Sequence, residues 1–137
     1  MDLHNPWVFL VIGYLVTVVL ETPVLLAGFS RRHSVQTRLL AGAWLTACTY
    51  PVVVLVLPPL LRETWGEIPY LLVAETFAPF AECALFVWVF GVSGKWWNLS
   101  TVRDCAAIIA ANLVSFLTGQ FLWYYLAVNT SGEYSRF

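Results

Sequence analysis

Three glutamates, Glu21, Glu75 and Glu82, lie inside long apolar runs of this 137-residue chain, and they are where its chemistry is expected. A carboxylate at membrane depth costs roughly 2.5–3.5 kcal/mol on insertion scales, so it normally faces protein or water and not lipid. Glu75 and Glu82 are seven residues apart, close to two helical turns, so both carboxyls point the same way. No Lys or Arg lies in the core of any apolar run. The counter-charge must therefore be a proton, a cation from outside or a partner subunit. That chemistry is ion or proton binding in a polar seam between helices.

Other polar residues fall at matching depths. Counting about 1.5 Å per residue from the outer ends sets Glu21 and Glu82 roughly 20 Å in. Asn112 comes within about one turn of that level, Thr49 and Tyr50 slightly nearer the outside, and Glu75 nearer still. Thr17, one turn before Glu21, can share its face. Asn112, Ser115 and Gly119 follow i, i+3, i+7 spacing, so they share one helix face, where Gly119 would permit close approach. The candidate binding residues are thus Glu21, Glu75, Glu82, Asn112, Thr49, Tyr50 and Ser115, with no catalytic residue assigned. Pro23, Pro51 and Pro79 each free a backbone carbonyl one turn back, and such groups seek hydroxyls, water or a bound species.

Blander readings compete. Small and polar residues at helical spacing are common packing contacts between membrane helices, which would account for Ser115 and Gly119. The glutamates could be neutral, hydrogen-bonded acids that only set helix register, or could meet polar groups of a larger membrane complex. An intramembrane enzyme using Glu75 and Glu82 as acid and base ranks third, because roughly 10 Å separates them on a straight helix. No H-E-x-x-H, G-x-S-x-G, C-x-x-C or glycine-rich phosphate loop is present, so no cofactor is implied and an enzyme is the lesser expectation. Cys48, Cys83 and Cys105 are expected to be small buried apolar residues. His33 is expected to be solvated and His4 to lie near headgroups.

The elements that must position these residues follow from composition. Hydrophobic residues make up 60% of the chain and charged residues 11%, with mean hydropathy +0.76. A soluble domain carries about 25% charged residues, so the balance is that of an integral membrane protein whose main partner is the lipid bilayer. A net charge of -1 argues against a nucleic-acid partner. Four runs approach the roughly 20 residues a span needs. The expected fold is all-α, a single four-helix transmembrane domain over 1–137, up-and-down, with helices near 7–29, 39–57, 69–90 and 104–128. Pro58-Pro59 is expected to close the second helix, leaving 60–69 as a short loop. The first run lacks the basic start and cleavage site of a signal peptide and is expected to remain as a helix. Gly91 to Asn98, with its paired tryptophans, reads as an interfacial turn.

Arg31, Arg32, Arg38, Lys95 and Arg103 flank the first and third links, while Arg62 and Arg136 lie at the other end. The positive-inside rule then sets those links in the cytoplasm and both termini outside. Four helices enclose little volume, so a homodimer would be the natural way to form a pathway.

The polar landmarks together, Glu21, Thr49-Tyr50-Pro51, Glu75 with Glu82, and Asn112-Leu113-Val114-Ser115 with Gly119, resemble those of a loose group of small four-helix prokaryotic membrane proteins. The group is largely uncharacterised, so the resemblance implies a bundle and a prokaryotic inner membrane but no activity. Its members often have His at the place of Tyr50, which makes a metal-ligand role less secure here. Small multidrug transporters share four helices and a membrane glutamate, but their sequence pattern is not matched.

Overall fold

The computed structural model describes residues 6–90 and 98–133, and within them the chain is helical, with no strand. Four helices form it: α1, Pro6–Gly28; α2, Val35–Trp65; α3, Glu67–Phe90; and α4, Leu99–Glu133. Each contains a stretch long and apolar enough to cross a membrane. Each helix packs against two others, α1 between α2 and α4, and α3 between the same two, which closes a square bundle. Gly28, Val35, Phe90 and Leu99 lie at one end, here the link end. Gly66 marks the opposite, far end.

The helix ends have local causes. Ser34 caps α2, its hydroxyl accepting from Thr37 N–H at 3.1 Å. Asn98 caps α4 in the same way, accepting from Thr101 N–H at 2.8 Å. These caps start α2 and α4 four and five residues earlier than the apolar runs indicate. At the end of α1 the last carbonyls lack helical partners. Arg38 donates to Leu26 O (2.9 Å) and Ser30 O (3.2 Å), and Arg103 to Gly28 O (2.9 Å).

Pro58-Pro59 does not end α2. The backbone there widens by one residue per turn, with Leu57 N–H bonding Val52 O and Glu63 N–H bonding Pro58 O. Wider turns of this kind absorb a proline's missing donor and steric bulk without breaking the helix. The hydroxyl of Tyr70 on α3 donates to Val53 O within the widened stretch, at 3.2 Å. The expected loop at 60–69 therefore shrinks to a break at Gly66, whose φ of +89° only glycine adopts without strain.

The core is concentrated in the link half. Leu25 from α1 and Phe29 just past its end, Ala41 and Leu45 from α2, Phe86 from α3, and Ala107, Ile108 and Ala111 from α4 form one buried cluster. Gly28 allows α1 to lie against α4, since a Cβ built there would be 2.6 Å from the Ala107 Cβ. Gly119, expected to play that part, faces open space, because that stretch of α4 is exposed. The cysteines also differ from expectation: Cys48 is exposed, Cys83 and Cys105 are half-buried, and all three are free. Residues 91–97, expected to form a turn and including Lys95, lie outside the described residues, as do His4 and Arg136.

Candidate functional site

Glu21 and Glu82 are buried at 2% and 4% exposure, on helices α1 and α3, which face each other across the bundle between α2 and α4. Each carboxyl spans the gap by bonding to both α2 and α4. Glu21 Oε2 accepts from the Thr46 hydroxyl at 2.9 Å and Oε1 from the Ser115 hydroxyl at 2.8 Å. Glu82 Oε1 accepts from the Thr49 hydroxyl at 2.7 Å and Oε2 from Asn112 Nδ2 at 2.8 Å. The seam expected from the sequence is thus a cross-linked layer through all four helices.

The hydroxyls have a second acceptor each. Thr46 Oγ1 is 2.9 Å from Gly42 O, Thr49 Oγ1 is 3.1 Å from Leu45 O, and Ser115 Oγ is 3.0 Å from Asn112 O. A hydroxyl carries one hydrogen. When the carboxyl is ionised, the hydroxyl donates to it and leaves the backbone carbonyl. When the carboxyl holds a proton, it donates to the hydroxyl oxygen, and the hydroxyl's own hydrogen turns to the carbonyl. The layer can therefore gain or lose protons by turning hydroxyls, with no movement of heavier atoms.

A cavity of about 160 Å³ adjoins this layer. All seven candidate residues line it: Glu21, Glu75, Glu82, Asn112, Thr49, Tyr50 and Ser115. Thr17 and Thr46 join them, with Val53, Ala74, Ala78 and Phe116 as apolar walls. Such a volume has room for several waters or one small organic cation. Glu75 is only half-buried and lines the cavity on its far-end side. The Tyr50 ring tip lies over Gly13 of α1, where any larger side chain would displace it. Among the described residues no Lys or Arg reaches the cavity, and no three His, Cys, Asp or Glu side chains gather closely enough to hold a metal ion.

A second polar cluster, missed in the sequence, occupies the link end. Asp104, fully buried, accepts from Ser30 N–H (2.6 Å), the Ser30 hydroxyl (3.0 Å) and the Arg32 guanidinium (2.7 Å). Arg32 also donates to Thr101 Oγ1 at 3.2 Å. His33, expected to be solvated, is packed among Phe29, Phe86 and Phe90 with Nε2 3.2 Å from Asp104 Oδ2. Burial pulls its imidazole below the ordinary 6.5, the Asp104 charge opposes this, and Arg32 and Arg38 add to the lowering. The available signal was Asn98 three residues before Thr101, a helix start that draws Asp104 inside α4.

The chain matches no family model, no curated protein and no solved structure.

Proposed function

We propose that this is a small integral membrane protein whose carboxyl cavity binds, and exchanges across the membrane, protons and a small cation or cationic solute. The observation that carries the reading is the pairing of each buried glutamate with hydroxyl donors that have an alternative acceptor. Such a layer tolerates either charge state, which a carboxyl serving only helix register does not require. The half-exposed Glu75 would receive the cation first, and Glu21 with Glu82 would hold it deeper, each releasing a proton as it arrives. Among the described residues no convergent three-ligand set is present, which favours a proton or an organic cation over a tightly coordinated metal. As part of the same proposal, the protein belongs in a prokaryotic inner membrane with the basic link end in the cytoplasm and both termini outside.

The test uses proteoliposomes with a pH-sensitive dye and steps of Na⁺, K⁺ or tetramethylammonium. At least one cation should drive a pH change that disappears in Glu82→Gln. An unchanged response in Glu82→Gln would overturn the reading. No response to any cation, in a protein that is stable only with another subunit, would favour an accessory role instead.

A further inference from the structure

The cavity has a direction. From the Glu21–Glu82 layer its described lining continues toward the far end: Thr17 on α1, Val53 on α2, Glu75 on α3 and Phe116 on α4. Among the described residues, none on the link side of that layer lines the cavity. There the space is filled by the buried cluster, which contributes side chains from every helix. From Asn112 to Asp104 is eight residues, about 12 Å of apolar packing. The Phe29 and Phe86 rings pack in a tilted pair within it, centroids 4.9 Å apart, and α1 touches α4 at Gly28 and Ala107. The buried members of that cluster are all apolar, and an apolar constriction turns back charged solutes by dewetting.

Behind this layer stands the Arg32–Asp104 pair. Arg32 belongs to the link after α1, Asp104 to the start of α4, and they are 72 residues apart in sequence. With Ser30 bonded to the same carboxylate, the pair ties the link end of α1 to that of α4, the two helices that meet at Gly28.

We propose that the carboxyl cavity is served from the far end alone in this conformation, and that the link end is closed by two layers in series, the apolar cluster and the Arg32–Asp104 tie. The proposal builds on the cation reading for its purpose but not for its test. Discharge on the link side then requires α1 and α4 to part, which the tie opposes.

Accessibility to a membrane-impermeant, positively charged methanethiosulfonate reagent tests this in vesicles of each orientation. Cys48, Cys83 and Cys105 are first replaced by Ala. Val35→Cys and Trp65→Cys, both at exposed positions, report the link and far sides. Ala78→Cys, on the cavity wall, should react from the far side about 10- to 1,000-fold faster than from the link side, the range set by a minor open state of a few kcal/mol. Ala107→Cys should react from neither. Arg32→Gln should raise link-side reaction at Ala78→Cys by about tenfold, corresponding to a population shift of about 1.4 kcal/mol. Arg32→Lys serves if Arg32→Gln does not fold, with a smaller rise in the same direction.

Equal rates from both sides at Ala78→Cys, or reaction at Ala107→Cys, would overturn one-sided access. Unchanged link-side rates in the Arg32 variants would overturn the tie. Neither result needs a bound cation. Failure of Na⁺, K⁺ and tetramethylammonium to slow the Ala78→Cys reaction would count instead against the cation reading.

Discussion

Asn112 divides its two amide hydrogens between Glu82 Oε2 at 2.8 Å and the carbonyl of Ile108 at 3.1 Å. The same side chain therefore orients the carboxyl and fastens it to α4. Asn112→Leu removes both bonds, and in membrane proteins such interhelical bonds contribute about 0.6 to 2 kcal/mol. Denaturant unfolding in detergent should show a loss of that size. Glu82→Gln preserves the shape and can still accept from Asn112, so it should unfold near the wild-type midpoint while losing cation-linked proton exchange. A Glu82→Gln protein that failed to fold would show that the carboxyl serves register first.

The two glycines of the α1–α4 region make opposite predictions. At Gly28 an added side chain meets Ala107 with no space to move, and overpacking of this kind costs about 1–3 kcal/mol. Gly28→Val should fall in that range by thermal unfolding. At Gly119 nothing lies within 4 Å, and replacing a mid-helix glycine by alanine gains up to about 1 kcal/mol of helix propensity. Gly119→Ala should thus be neutral or stabilising. Equal destabilisation at both positions would contradict the packing described.

The pH response of the link end follows from His33. Its folded-state affinity for protons is below that of the unfolded chain, because burial disfavours the imidazolium more than Asp104 favours it. Below the ordinary 6.5 the unfolded state takes up the proton first, so its contribution to stability is present above that value. That contribution is lost as pH falls through the lower folded value. Unfolding midpoints measured downward from neutral pH should drop more steeply in wild type than in His33→Gln. Parallel curves would show that this ring does not titrate differently in the fold.

The sequence by itself determined the four spans and the inward direction of the glutamates. Run length against bilayer thickness governs the first, and the cost of a carboxylate in hydrocarbon governs the second. Depth counting even brought Glu21, Glu82 and Asn112 to one level, because helical rise is nearly constant. Helix ends were less legible. Pro58-Pro59 reads as a stop only if the backbone keeps its regular hydrogen-bond spacing, and widening the turns removes that requirement. The tertiary structure alone decided which groups meet: Thr46 with Glu21, Gly28 with Ala107, Arg32 with Asp104. Such pairings depend on how helices are rotated and how closely they approach, and spacing along a single helix carries no record of its neighbour's face. For the same reason the one-sided cavity emerges only in three dimensions, where small residues and rings from all four helices fill one half of the bundle and leave the other open.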